Sequence, residues 1–325
     1  MTEYNNVLLG PQSGGLKTDT WLPNSIAAFG DAGRYCWEEF FSGQIRNRHT
    51  RAAYTHHIRR FLAAMESQNI ALRDISPGMI GRYFDEHRGS IPTKKLALSA
   101  IKAFFDHLVV RHILIFSPAA SVRGERYSAE GKTPEIPKAD ARKLLATIDP
   151  THPVGRRDVA IIAVLIYTTA RRGAAANLRI GDLTWDGSQY QLRFTEKNGK
   201  SRQIPVRHDL QVHLLSYLDS FDWRDEPKEA PLFRSIIGRT GRLTRLPVSG
   251  NDIYRMMKRR LVDAGLSTHL SPHSFRVTTI TDLLENGVEL EAVQQLAGHA
   301  DPRTTRLYDR RQRRITRNTV ERISI

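Results

Sequence analysis

The sequence predicts a mainly α chain with a small β-sheet, laid out as an N-terminal helical bundle followed by an α+β domain. Apolar residues recur at helical spacing from about residue 30 to 120. A Gly-, Pro- and charge-rich stretch at 122–137 then interrupts that period. Beyond it, helical patterns flank two short runs, 189–195 and 201–206, joined by Lys197-Asn198-Gly199, a hairpin turn signature. The length of 325 residues suits two domains at roughly 150 residues each.

Taken in order, residues 1–28 read as a flexible arm, because Gly10, Pro11, Gly14, Gly15 and Pro23 break any period. An arm this short leaves no room for a separate domain ahead of the bundle. The bundle spans 29–121. Tyr54, Ile58, Phe61, Leu62 and Met65 mark one helix. Ser76 and Pro77 supply the N-cap and first position of another. Ile91-Pro92-Thr93 opens a third, carrying Leu98, Ile101, Phe104, Phe105 and Leu108. After the linker, the second domain covers 138–325. Its helices are predicted at 138–148, 156–168, 209–220, 250–265 and 272–285, with a further short strand at Leu183–Trp185. Gly287 and Gly298 read as helix stops, and Asp301-Pro302 as a fresh helix start.

Lys and Arg number 49 against 34 Asp and Glu, a net charge of +15. A chain this basic suits a polyanionic partner, nucleic acid first. The single cysteine, Cys36, excludes a disulfide framework and any multi-cysteine metal site. It lies in an aromatic stretch and reads as core filling. The longest clean apolar run, Val159 to Tyr167, is far short of the ~18 residues of a membrane span. The N-terminus carries Glu3 and no long apolar stretch, so no signal peptide is predicted.

Three segments carry candidate chemistry. In Ser271-Pro-His273-Ser-Phe-Arg276, His273 and Arg276 stand three apart at a helix start. That spacing places an arginine fork and a proton-transfer group on one face of an anion-binding end. Downstream, His299 follows Gly298, and Tyr308 stands nine residues later. Finally, Arg171 and Arg172 directly follow a wholly apolar stretch, which predicts that at least one is held near the interior and faces an anion or a partner. Read singly, these are equally a surface pair, a core tyrosine with a satisfied hydroxyl, and a surface arginine at a helix end. His56-His57 makes no metal site without a third ligand.

Together, and in this order, these residues resemble the tyrosine recombinases of the phage integrase family. The resemblance runs over Thr168-Thr-Ala-Arg171, the hairpin lysine, His273-x-x-Arg276, Gly298-His299 and Tyr308. It implies a SAM-like helical core-binding bundle and the family's α+β catalytic domain. It places Arg171, Lys197, His273, Arg276, His299 and Tyr308 in the catalytic positions, with Lys200 as the competing lysine. Two positions depart from the pattern. Thr169 stands where the family usually has glycine, and Ala174 where it usually has an acidic residue, with Asp182 as a candidate replacement.

The implied reaction is site-specific recombination of DNA without metal, ATP or other cofactor. Tyr308 attacks the scissile phosphate, forms a 3′-phosphotyrosyl ester and frees a 5′-hydroxyl, and a partner strand's 5′-hydroxyl then attacks that ester. Arg171 and Arg276 clamp the phosphate oxygens. A phenol ordinarily holds its proton to about pH 10, so it needs a base, and His273 fills that role. Lys197 protonates the leaving oxygen, and His299 hydrogen-bonds a phosphate oxygen. The helical bundle becomes a DNA clamp, with Arg46, Arg48, Thr50, Arg51, Lys94 and Lys95 at helix starts as phosphate contacts. The implied partners are double-stranded DNA and three further copies of the chain, a homo-tetramer on two sites, with accessory DNA-bending proteins in addition and no membrane. The basic tail after Tyr308, ending in Val320, Ile323 and Ile325, is the expected contact between protomers. The implied location is cytoplasmic, on the nucleoid when bound. A phage, transposon, plasmid or chromosome-dimer system would all suit the residues. Two competing readings are a type IB topoisomerase, which uses nearly the same residues, and a DNA-binding protein with a decayed site.

Overall fold

The computed structural model describes residues 22–126, 133–195, 201–238 and 240–308. Chain contacts divide it into two compact units, one up to Ser128 and one from Ala129.

The first unit is all helical. The arm expected to reach residue 28 gives way to structure by residue 24: α1 (Asn24–Ala27) is a single turn, and Ile26 is fully buried in the core. An apolar side chain that reaches the core holds its own turn against the fraying that Pro23 and Gly30 would otherwise favour. Next come α2 (Gly30–Glu38), a π-helical turn (Glu39–Gln44), α3 (Arg48–Glu66), α4 (Pro77–Asp85) and α5 (Ile91–Val110). Asn47 caps α3 by accepting from the His49 and Thr50 amides. Ser76 Oγ accepts from the Met79 amide at 3.3 Å, with Pro77 at the first position of α4. Ile58, Phe61, Leu62 and Met65 of α3 pack with Ile101, Phe104, Phe105 and Leu108 of α5, and Cys36 is buried among them.

The second unit opens with α6 (Lys138–Thr147) and α7 (Pro153–Tyr167). Val159 through Leu165 are all buried, so α7 is the spine of this core. The chain leaves α7 through Thr168-Thr169-Ala170 and enters the short α8 (Arg172–Ala176). β1 (Leu183–Trp185), β2 (Tyr190–Thr195) and β3 (Ser201–Pro205) form an antiparallel sheet in sequence order, with Leu192 opposite both Leu183 and Ile204. The turn between β2 and β3, with Lys197 and Lys200, lies outside the described residues. α9 (His208–Leu218) packs on α7. A second, two-stranded sheet of β4 (Arg234–Ile236) and β5 (Leu243–Pro247) was not legible as strands. α10 (Gly250–Asp263), α11 (Pro272–Glu285), α12 (Leu290–Ala297) and α13 (Pro302–Arg306) complete the described chain. No helix among the described residues is long and apolar enough to cross a membrane.

The end of the expected linker is part of this core. Ile136 is 1% exposed, and both its backbone groups bond the Thr278 hydroxyl of α11, at 2.8 and 3.1 Å.

A buried carboxylate joins the spine to α10. Asp158 is fully buried and accepts from Arg157 at 3.0 and 2.6 Å and from Arg260 at 3.0 and 2.8 Å. Arg157 also donates to the Arg234 carbonyl at 3.0 Å, which brings in β4. Removing one partner of such a buried pair strands the other charge. Asp158→Asn is therefore expected to destabilise by about 3–5 kcal/mol. Thermal unfolding followed by circular dichroism should show a midpoint lower by on the order of 10 °C.

Candidate active site

α11 starts as the sequence predicts: Ser271 is the N-cap, Pro272 takes the first position, and the Ser271 amide donates to Ser274 Oγ at 3.1 Å. His273 and Arg276 then part. His273 keeps solvent exposure, whereas Arg276 is 1% exposed. Arg276 Nη1 donates to the Thr169 carbonyl, and Nη2 donates to the Ala297 carbonyl at 2.5 Å. One guanidinium thus joins the exit of α7 to the last turn of α12.

Among the arginines predicted for the site, the interior one is therefore Arg276. Arg171 and Arg172, one of which was expected inside, are both exposed. The cause is the turn that precedes them. Thr169 takes φ +53°, and Arg171 becomes the N-cap of α8. The left-handed step sends the chain outward, and Arg172 lies over the Tyr254 ring at 5.3 Å. The left-handed region costs a residue with a Cβ about 1–2 kcal/mol relative to its ordinary conformation. Thr169 holds it while fully buried, and its hydroxyl donates to the Leu296 carbonyl at 3.0 Å.

α12 ends on Gly298 at φ +62°, the left-handed stop that the sequence predicts. His299 follows and is buried, its Nδ1 2.9 Å from Thr305 Oγ1. Asp301 caps α13 by accepting from the Arg303 amide at 2.9 Å. Tyr308 stands two residues beyond α13, half-buried against the cluster of Ile280, Leu284, Val293 and Ala297. Its ring is nearly parallel to that of His299, 6.1 Å away between centroids and 13° between planes.

The charges of the site meet on the two histidines. Withdrawal of the ring from water, then the charges of Arg276 and Arg171, hold His273 below its ordinary pKa. Burial pushes His299 down to about 3, and Arg276, Arg171, His273 and Arg202 add to the effect. Both rings are thus neutral at neutral pH and can accept or donate one hydrogen bond at each nitrogen.

Arg202 and Thr305 were missed in the sequence. Arg202 donates to the Thr168 carbonyl at 3.3 Å and lies 5.2 Å from the Phe194 ring. Its signal was the strand period: in β3 it shares a face with buried Ile204, a place where a charge needs a reason. Thr305 carried no signal beyond its place one turn into a capped helix.

Asp182 does not replace the carboxylate absent at Ala174. It accepts from Arg193 at 3.1 Å and from the Arg179 amide at 3.0 Å, and so closes the turn into β1. In the first unit, Arg46 and Arg48 are exposed at the start of α3, Thr50 is partly buried there, and Lys95 is exposed at the start of α5. Arg51 bonds the Ile45 carbonyl at 2.9 and 3.1 Å, and Lys94 pairs with Glu125 at 2.8 Å.

Residues 135–314 match the model of the phage integrase family, and residues 37–112 match the family's N-terminal SAM-like domain. The chain belongs to the phage integrase family. It is a tyrosine recombinase, one of the enzymes that cleave and rejoin DNA. Tyrosine recombinase XerC of Pelobacter propionicus is 31% identical over 275 residues, 80% of this chain and 84% of that one. XerC of Chlamydia pneumoniae is 31% identical over 216 residues, 66% of each chain. The fold matches that of the XerH recombinase bound to a palindromic difH substrate, at a TM-score of 0.69 and 18% identity over 89% of this chain and 94% of that one. A lambda integrase tetramer on a Holliday junction matches at 0.64 and 16%, over 85% and 77%.

The lowered His273 pKa sets a pH dependence for any reaction in which the ring takes a proton. A base works when neutral, so the rate falls as pH drops through its pKa. The acid limb of kcat/KM, which reports the free enzyme, is expected to centre below the ordinary histidine value of about 6.5. A pH–rate profile of DNA cleavage checks this. A limb centred above that value would contradict the environment described.

Proposed function

We propose that this site joins DNA strands through a 3′-phosphotyrosyl ester on Tyr308, as a site-specific recombinase. The observation that supports it most is the stacking of Tyr308 on His299, a ring that burial makes a weak base, with the charges of Arg276, Arg171 and His273 adding to the effect. A tyrosine, two arginines and two neutral histidines meet in one place, and that set suits a phosphodiester.

The Tyr308 oxygen attacks the phosphorus, its bond to phosphorus forms, and the bond to the 5′-oxygen breaks. His273, neutral and accessible, takes the phenolic proton. Arg171, exposed, and Arg276, held, face the charge that gathers on the two non-bridging oxygens. In the tautomer in which Thr305 donates to Nδ1, His299 carries its proton on Nε2 and donates a hydrogen bond to one of those oxygens. Lys197, on the turn between β2 and β3, protonates the departing 5′-oxygen. Attack of another strand's 5′-hydroxyl on the phosphotyrosine reverses these steps and returns the phenol.

Double-stranded DNA is the proposed partner. The net charge of +15 favours it. So do the structural relatives, which include a recombinase bound to a difH substrate and a tetramer bound to a Holliday junction. A tetramer on two sites, joined through the tail after Tyr308, is proposed for this chain too. Arg46, Arg48, Thr50 and Lys95 are the proposed backbone contacts of the bundle. Lys94 joins them by exchanging Glu125 for a phosphate, and Arg51 by holding the turn before α3.

The test is a nicked suicide substrate bearing a site from the ends of the chain's own element, without divalent metal. Denaturing gels should show a covalent protein–DNA adduct for the natural chain and none for Tyr308→Phe. Specific, salt-sensitive binding with no adduct from either protein would overturn the enzymatic reading. Strand exchange between two sites separates recombinase from topoisomerase.

A further inference from the structure

The turn after α7 is built from a residue poorly suited to its backbone. Glycine takes φ +53° freely, whereas a β-branched residue is an outlier there. Strained residues persist where the surroundings over-determine them, and they cluster at working sites. Thr169 is over-determined on three sides. Its carbonyl accepts from Arg276, its hydroxyl donates to the Leu296 carbonyl at 3.0 Å, and its neighbour Thr168 accepts from Arg202 at 3.3 Å. Thr168 Oγ1 is itself committed to the Val164 carbonyl at 2.6 Å.

What the hydroxyl reaches matters more than the strain. Leu296 lies in the last turn of α12, where backbone carbonyls have no partner within the helix. The next carbonyl, Ala297, accepts from Arg276. Gly298 and His299 follow at once, and the His299 amide donates back to the Gln294 carbonyl at 3.2 Å. The same turn therefore touches both halves of the site: Arg171 stands two residues after Thr169, and His299 three residues after Leu296. Arg276 already spans these halves from α11. The Thr169 hydroxyl is a second, direct tie between them.

We propose that Thr169 is a positioning residue for strand cleavage, its hydroxyl setting the Arg171 turn against the His299–Tyr308 segment. The proposal rests on the recombinase reading of the site. It assigns to a side-chain bridge a task that glycine, whatever its freedom at this φ, lacks the atoms to perform. Thr169 touches neither the phosphate nor the phenol, and acts through Leu296 and through the direction it gives Arg171.

Three substitutions separate the bridge from the strain. Thr169→Gly removes both. Thr169→Val keeps the branching and removes the hydroxyl. Thr169→Ser keeps the hydroxyl and relieves the branching. Single-turnover adduct formation on the nicked substrate is expected to slow on the order of tenfold in the Gly and Val variants, from a misplaced rather than a missing group. The Ser variant should stay within about twofold of the natural chain, as one retained hydrogen bond predicts. DNA affinity should be unchanged throughout. Amide hydrogen exchange over residues 297–308 should quicken in the Gly and Val variants alone, while exchange within α7 stays as it is.

Equal cleavage by the Gly variant and the natural chain would overturn the proposal. So would faster exchange with unaltered cleavage, which would make the bond merely structural. If the Val variant fails to fold, the Gly variant, free of strain, decides. If the natural chain itself forms no adduct, the recombinase reading is what has failed. Exchange over 297–308 still judges the bridge in that case: unchanged exchange in the Gly variant overturns it.

Discussion

The burial of Arg276 is the constraint on which the catalytic unit depends. A guanidinium at 1% exposure has lost its water and must be met by acceptors in full. Two of them are backbone carbonyls at separate chain reversals, Thr169 after α7 and Ala297 at the end of α12. Neither segment can move without leaving that charge unmet. The orientation of α11, the left-handed step that throws Arg171 outward and the left-handed stop before His299 are therefore one arrangement. Thr278 extends it to the linker, because the helix that carries Arg276 also holds Ile136.

Two groups of arginines in this unit are used in opposite ways. Asp158 is shared between Arg157 and Arg260, and this ion pairing serves within the protein as a brace between α7 and α10. The carbonyls that hold Arg276 fix its position without cancelling its charge. Burial is the first cause of the depressed basicity of His273 and His299, and the charge of Arg276 adds to it. Such a site is poised for an anion. A phosphodiester would meet donors already oriented and two rings already neutral, so little reorganisation is left for the reaction itself. Cofactor chemistry has no part in the steps proposed, since the energy of the broken ester is kept in the tyrosyl ester.

The legible parts of the sequence were local. Ser76-Pro77, Ser271-Pro272 and Asp301-Pro302 announced helix starts because capping needs only a side chain and the amides two or three residues ahead. Gly298 announced a stop for an equally local reason. The 183–185 strand, the long α3 and α5, and α7 followed from period and apolar content. The small β4–β5 sheet did not, because short strands of mixed residues owe their pairing to the Arg157 and Tyr217 contacts around Arg234 rather than to their own pattern. The arm was read as too long because Pro23 and Gly30 outweighed one isoleucine whose burial is a tertiary fact.

By itself, then, the sequence determined the residue types, their order and the helix ends that carry them, and through these the family and the class of reaction. Only the tertiary structure decided which of the site's arginines lies inside. Sequence places His273 and Arg276 on one side of a helix, and it places Arg171 after an apolar run. Burial depends instead on which carbonyls lie within reach, and Thr169 and Ala297 come from segments more than a hundred residues apart. The same holds for Asp182, whose charge answers Arg193 across a turn, and for Arg202, which reaches the site from a strand. Capping and periodicity are set by neighbours along the chain. Desolvation and charge are set by neighbours in space, and those exist only once the chain has folded.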